Sequence, residues 1–525
     1  MVVAALALAG QMALAATCSV VKHGPQTEAE KALLAADYAK AETLFRADVA
    51  KTPADPDAVS GLVHALLRQQ KVKEAADAVK AALAAAPASG AFLTLRGEVE
   101  LRQGEPWTAE QTALAAYKAD PCNPRTRLLY ARVAQVSARF ATAKQQFGLA
   151  HQFDPEDPEI RLEWLQTLPV DQRAAEAEAW LAAPNGEDPG TVAFVRASAD
   201  HWKKLAGQPP RACKLVSAPA AADLPFIKFA GWAGHTRGFG LEMTLNASPA
   251  RIEFGNPEGG LTVYRPLAER AGLKRITENE KPPFPGAKAS YMAYADKLKI
   301  GGLEFHDCVL KVIDSGSPTD DGDGNLGFDI FGDFLTTVDF PMRKVQLAPL
   351  TPTPQDAGYV ASLHTDMTEG DGAASPHPTD RLVAPEMKDY SQIYRAGRSL
   401  ILPTALNTNT IKLFMLSIGV PGTNIAADLA KQVSKTHEQE RAGPGPDAKP
   451  YKVTVSDEIT FNFARFAQKL TSVVSTDTSG ATRMAGMEIG GNIGANTYQL
   501  LILHLDYRDG LVKFEFIADR GYKFE

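Results

Sequence analysis

A chain of 525 residues has room for about three domains at roughly 150 residues each. Its 45% hydrophobic and 22% charged residues exclude a disordered polymer, and a net charge of −7 argues against nucleic acid as a partner. After the first twenty or so residues no apolar run reaches the roughly 18 residues that a membrane-spanning helix needs.

The chain opens on an almost wholly apolar stretch, Val2 to Ala16, in which Ala13-Leu14-Ala15 supplies the small-x-small pattern read by a signal peptidase. Residues 1–16 are therefore expected to be a signal peptide, which places the mature protein in the periplasm or outside the cell. The positive segment that usually precedes such a stretch is missing, since the first lysine is Lys22. Four cysteines follow, at 18, 122, 213 and 308. None forms a C-x-x-C pair and no histidine cluster accompanies them, so neither a metal nor a cofactor is expected. An even count permits disulfides after export, in a pairing that the sequence leaves open.

Residues 22–205 carry a repeat. Pro53, Pro87, Pro121 and Pro155 stand 34 residues apart. Twelve residues before each stands an alanine (Ala41, Ala75, Ala109, Ala143), and four residues after each alanine comes Phe45, Val79, Ala113 or Phe147. Small residues let two helices approach, larger apolar ones fill the groove, and proline ends the second helix. This spacing resembles the tetratricopeptide repeat (TPR), which implies an α-solenoid that binds a peptide or protein on its concave face. Further helix from Asp171 to Ala183 and from Pro189 to Leu205 is expected to cap it.

Pro209 to Leu224, rich in proline and alanine, reads as a linker. Beyond it the pattern changes to alternating apolar residues and glycine turns, which predicts strands. Two copies of one unit are visible. Leu241 to Asn246, Arg251 to Phe254 and Leu267-Ala268 match Leu402 to Asn407, Lys412 to Leu416 and Leu429-Ala430, the last pair at an offset of 162. Gly324-Asn325-Leu326-Gly327 and Asp339 match Gly491-Asn492-Ile493-Gly494 and Asp506 at an offset of 167. Lobe 1 is expected over 225–350, lobe 2 over 396–525, and a polar linker over 351–395.

A strand–turn–strand unit, an apolar-glycine loop some 70 residues later and a closing strand with an Asp and an aromatic together resemble a retropepsin-type aspartyl protease lobe. Two such lobes behind a TPR array resemble a bacterial family of aspartyl-protease-like proteins. The resemblance implies a multidomain α plus β chain, its solenoid followed by a two-lobed, all-β, pepsin-like module with a peptide groove between the lobes.

In that family each lobe supplies one Asp-Thr/Ser-Gly turn, and the two carboxylates share a proton so that one activates water while the other protonates the substrate carbonyl. Here Ser417-Ile418-Gly419 stands where one turn belongs. The offset puts Gly255, or Asn256 after a one-residue slip, at the other. None of these side chains replaces an aspartate as general acid or base. Two lookalikes, Asp314-Ser315-Gly316 and Asp477-Thr478-Ser479-Gly480, lie only 10 and 14 residues before the closing glycine loops, which leaves no chain for the hairpin that separates turn from loop. Asp321-Gly322-Asp323-Gly324-Asn325 hints at a calcium loop but lacks the sharp-turn glycine and the terminal glutamate. The expectation is a peptide- or protein-binding module without catalysis. Its rivals are an aspartic-type endopeptidase with carboxylates elsewhere and a serine nucleophile at Ser417.

Overall fold

A computed structural model describes residues 18–182, 187–206, 213–230, 236–256, 259–277, 289–313, 322–351, 381, 383–407, 410–441 and 449–517. Its first compact unit is helical: α1 (Glu28–Leu34), α2 (Tyr38–Lys51), α3 (Pro56–Arg68), α4 (Val72–Ala85), α5 (Gly90–Arg102), α6 (Pro106–Ala119), α7 (Pro124–Val136), α8 (Phe140–Phe153), α9 (Pro158–Leu165), α10 (Val170–Ala182) and α11 (Pro189–Ala206).

The 34-residue phase governs more than the prolines. Asp55, Ser89, Asn123 and Asp157 each cap the first helix of a repeat, their side chains accepting from amides two or three residues on. Such a cap stabilises a helix by about 1 kcal/mol. Ala36, Gln70, Gly104 and Ala138, again 34 apart, take left-handed φ values of 58°, 62°, 77° and 60° where first helix turns into second. The four repeat alanines are buried. Close packing explains the small residues: a Cβ on Gly61 would lie 2.2 Å from the Phe45 ring. Before α1 the chain is fastened to later repeats by the Cys18–Cys122 disulfide, by the Val21 amide donating to the Phe153 carbonyl (2.8 Å) and by His23 against Asp154 (2.8 Å).

The second unit is β-rich. Lobe 1 comprises β1 (Lys214–Ser217), β2 (Ala222–Pro225), β3 (Ile227–Ala230), β4 (Thr236–Leu245), β5 (Ser248–Phe254), β6 (Leu261–Tyr264), α12 (Arg265–Arg270), β7 (Lys274–Arg275), β8 (Ser290–Ile300), β9 (Leu303–Ile313), β10 (Gly324–Leu326), β11 (Phe334–Asp339) and β12 (Lys344–Pro349). Lobe 2 repeats the plan with β13 (Ser391–Gln392), β14 (Tyr394–Ala396), β15 (Ser399–Leu406), β16 (Thr410–Leu416), β17 (Asn424–Ala426), α13 (Ala427–Val433), β18 (Thr436–Arg441), β19 (Tyr451–Phe463), β20 (Phe466–Thr476), α14 (Ser479–Ala485), β21 (Ile489–Ile493), α15 (Ala495–Tyr498), β22 (Leu501–Asp506) and β23 (Leu511–Phe516).

Each lobe owns one large sheet, and a six-stranded sheet in the order β13-β23-β22-β11-β12-β2 takes strands from both. At its centre β11 and β22 pair antiparallel, with Thr337 opposite His504. These two residues are equivalents at the 167-residue offset, so the local twofold axis passes between them. A single apolar core, from Leu224 to Phe514, runs through both lobes.

Two stretches expected as linkers contain strands: β13 and the start of β14, paired with β23 and β15, fall within the expected linker over 351–395. The stretch read as a linker up to Leu224 contains β1, paired with β9, and β2, paired with β12. Both are four-residue strands; β1 is mostly exposed, and β2 buries only Leu224. Four residues each are too few for a pattern to stand out, neighbouring edges hold both, and the Cys213–Cys308 disulfide ties the start of β1 to β9.

The Cys18–Cys122 bridge closes a loop of 104 residues. Chain entropy assigns a loop of that length about 4–5 kcal/mol. A Cys18→Ser/Cys122→Ser variant is expected to unfold at lower denaturant with the loss centred on the helical unit. Midpoints equal to those of the parent, followed by far-ultraviolet circular dichroism, would mean the bridge does not constrain the unfolded chain.

Candidate functional site

The duplication brings two turns together. In lobe 1, β10 lies between β5 and β6, parallel to the first and antiparallel to the second. In lobe 2, β21 lies in the same way between β16 and β17. Register sets the correspondence: Leu326 is opposite Phe254 and Ile493 is opposite Leu416. The next amides behave alike, Gly255 donating to the Leu326 carbonyl (2.8 Å) and Ser417 to the Ile493 carbonyl (3.1 Å). Gly255 and Ser417 are thus equivalent, and Asn256 corresponds to Ile418. The turns touch, for the Gly419 amide donates to the Gly255 carbonyl at 3.3 Å.

This contact leaves no room at Gly255. Its φ is +83°, and a Cβ there would meet Ile418 Cγ1 at 1.9 Å. Ile418 is fully buried, as is Ser417, whose hydroxyl has no hydrogen-bond partner among the described residues. A serine nucleophile needs a base, and among the described residues none faces this oxygen. The floor between the lobes is closed by the aliphatic side chain of Ile418. Partly buried Asn256, Gly259 and Gly260 border it, with exposed Val420 at the other end.

The buried carboxylate on this boundary, Asp329, faces a cation. Burial pushes its pKa up, opposed by Arg398 and by the Gly260 amide. Arg398 Nε of lobe 2 lies 3.7 Å from Asp329 Oδ2 of lobe 1, and the Gly260 amide donates to Oδ1 at 2.8 Å. Gly259 and Gly260 are required here, since a Cβ on Gly259 would sit 2.3 Å from Arg398 Cβ.

Asp477 is placed away from the paired turns. It is exposed beyond the end of β20 and accepts from the amide (2.8 Å) and hydroxyl (3.0 Å) of Ser479 at the start of α14. Asp314 and the segment 1–16 lie outside the described residues. Asp323 of the calcium-like loop accepts from Arg270 (2.6 Å) and from the Arg251 amide (2.9 Å). Among the described residues no group of three or more His, Cys, Asp or Glu is placed to hold a metal, and no helix is long and apolar enough to cross a membrane.

A close acid pair does exist elsewhere. Asp506 and Asp509, both fully buried, flank the β22–β23 turn. The Asp509 amide donates to Asp506 Oδ1 at 2.9 Å, Arg508 Nε donates to Asp509 Oδ2 at 2.9 Å, and another Arg508 nitrogen donates to the Thr351 carbonyl at 3.0 Å. Arg381 Nε donates to the Asp509 carbonyl at 2.9 Å. Arg508 and the Asp509 carbonyl thus hold Thr351 and Arg381 to this turn, and the acid pair does not lie at the paired turns. A 730 Å³ cavity likewise lies apart, on lobe 1 between β2, β4 and β5.

On the solenoid, the first helices of the repeats share a face of paired charges. His64 meets Glu98 at 2.9 Å, Arg125 meets Glu159 at 2.7 Å, and Arg132 reaches Glu159 and Glu163, both at 2.8 Å. Arg68 of α3 lies 3.8 Å from Glu159 of α9, three repeats on, so the array curls with this face inside. Burial raises the Glu159 pKa, but Arg132, Arg125 and Arg68 together hold it well below the carboxylate range. The concave face is largely neutralised from within.

No family model matches the chain, and no curated protein matches it. Among solved structures, a thermophilic TPR protein of Thermus thermophilus is 22% identical over 31% of this chain and 91% of its own, with a TM-score of 0.27. An aspartic proteinase from Irpex lacteus is 10% identical over 57% of this chain and 99% of its own, with a TM-score of 0.32. The pilF protein of Pseudomonas aeruginosa is 20% identical over 34% of this chain and 86% of its own, with a TM-score of 0.24. The fold is a TPR-like helical array followed by a two-lobed, β-rich, aspartic-proteinase-like module, and these likenesses assign no residue a role.

The acid pair makes stability pH-dependent. Burial, then the Asp509 carboxylate, push Asp506 up to about 7 against the pull of the Asp509 amide and Arg508. An unfolded aspartate titrates near 3.9, so between about pH 4 and 7 the native state binds more protons than the unfolded one. The contribution is full below that window and is lost as pH rises through it. Urea midpoints of the parent should therefore fall relative to those of Asp506→Asn between about pH 4 and 7. Parallel curves for the two proteins would show that Asp506 ionises normally.

Proposed function

We propose that this chain is an exported polypeptide-binding protein whose β module does not hydrolyse peptides. One observation carries the reading: the two turns that meet on the twofold bear Gly255 and Ser417, and Ile418 fills the space between them. General acid–base hydrolysis needs two carboxylates and a water at that point. Here acid, base and water site are replaced together. Gly255, Asn256 and Ser417 are accordingly read as lapsed catalytic positions.

Export is supported by the Val2–Ala16 pattern and by two disulfides, which persist in oxidising compartments. The proposed organisation is a signal peptide over 1–16, the helical array over 22–205, lobe 1 from β1 to β12 (214–349) and lobe 2 from β13 to β23 (391–516). The ligand is an extended segment lying along the interlobe border past Asn256, Gly259, Gly260 and Val420, where main-chain pairing needs no carboxylate. The internally paired concave face of the solenoid is the less open of the two surfaces.

The test is incubation of the purified protein with a mixed peptide library from about pH 3 to 7. No cleavage and no tight binding of a statine-type transition-state analogue are expected. A Gly255→Asp/Ser417→Asp variant should stay inactive unless Ile418 is also cut back to alanine, because the new Cβ has nowhere to go. Parent cleavage that disappears in Asp314→Asn or Asp477→Asn would contradict the reading.

A further inference from the structure

The segment before α1 crosses to the far end of the helical array. Cys18 is bridged to Cys122, in the connection between α6 and α7, and the Val21 amide donates to the Phe153 carbonyl at the end of α8. His23 meets Asp154, in the connection to α9, at 2.8 Å. Glu28, the first residue of α1, is seven residues on from Val21, a reach of at most about 25 Å. The first helices of neighbouring repeats pack side by side, and packed helix axes lie about 8–10 Å apart. Four such steps lead from α1 to α9, roughly 32–40 Å along a straight stack. The segment can therefore close only on a curled array, and the 3.8 Å approach of Arg68 to Glu159, three repeats apart, shows that curl.

Residues 18–27 thus form a strap, a chord across the curl. Of the three fastenings just named, only the disulfide is covalent. Val21 is 37% exposed and the His23 side chain 45%, so water competes for both hydrogen bonds. Cys18 and Cys122 are both partly exposed, whereas Cys308 of the second bridge is 1% exposed. A disulfide at the surface is the one that an incoming thiolate reaches.

We infer that Cys18–Cys122 is a thiol–disulfide exchange site for a dithiol partner, and that exchange there releases the strap and lets the array open. One thiolate of the dithiol attacks a sulfur of the bridge, forms a mixed disulfide and expels the other cysteine as a thiolate. The partner's second thiol then displaces the remaining cysteine. Cys18 and Cys122 together gain two electrons and two protons as thiols, and the dithiol leaves as a disulfide. With the strap free, α1 and the connection to α9 are no longer held within its reach, and the paired charges of the concave face open to solvent. This switch belongs to the helical unit alone and does not depend on whether the β module hydrolyses peptides.

Titration of the full chain with dithiothreitol, followed by alkylation and peptide mapping, reads which bridge opens first. Cys18 and Cys122 should become alkylated at about tenfold less reductant than Cys213 and Cys308. Spin labels on ketone side chains introduced at Lys31 of α1 and at exposed Gln172 of α10 need no added cysteine and read the opening by double electron–electron resonance. Reduction should lengthen their mean separation by at least about 5 Å, the pitch of one helical turn, and reoxidation should restore it. Cys18→Ser/Cys122→Ser should show the long separation without reductant, and Cys213→Ser/Cys308→Ser should respond as the parent does. Alkylation of Cys213 and Cys308 before Cys18 and Cys122 would overturn the exchange site. An unchanged separation in the parent once Cys18 and Cys122 are fully alkylated would overturn the release.

Discussion

The antiparallel ladder between β11 and β22 sets the geometry of the β module. It joins the closing strands of two copies of one unit so that Thr337 faces its own counterpart, His504, with Thr337 Oγ1 and His504 Nδ1 3.1 Å apart. Once these strands share a sheet, the lobes are related by a local twofold and the ends of β5 and β16 have to meet. A slip of one residue in that ladder would turn every side chain of β22 to the other face of the sheet. The Arg398–Asp329 contact and the Gly419–Gly255 hydrogen bond bind the same seam from the other side.

What fills the meeting point decides what the module can do. General acid–base hydrolysis at this position would need two carboxylates and a water between them. Here an aliphatic side chain and a glycine close it, and Ser417 is buried beneath with a hydroxyl unpaired among the described residues. Burying Ile418 stabilises by about 1.5–3 kcal/mol, in the direction opposite to a charged pair at the same place. The buried acids are bonded into the fold: Asp329 faces Arg398 across the lobes, and Asp506 accepts from the Asp509 amide.

Much of this plan is legible in the sequence because it is periodic or duplicated. Four prolines in one phase give the repeats, and the capping residues Asp55, Ser89, Asn123 and Asp157 share that phase. The left-handed connections are not legible, because only one of the four is glycine and Ala36, Gln70 and Ala138 carry no local mark. The paired turns follow from two offsets and the glycine loops, so Gly255 and Ser417 can be found before any coordinates. Ile418 as the plug cannot, since its role depends on which way a side chain points across a twofold axis. Strands β1 and β2 escape detection for a related reason: their neighbours hold them, and four residues each are too few for a pattern to stand out. The Asp506–Asp509 pair reads as an ordinary turn until burial is known.

The central claim is that the twin turns hold no acid pair and no water. An experimental electron-density map of Gly255, Ser417 and Ile418, at a resolution that shows ordered solvent, tests it directly. The account predicts continuous side-chain density for Ile418 packed against Gly255, with no water peak between the turns. A water held there by two carboxylates, from whatever part of the chain, would contradict it.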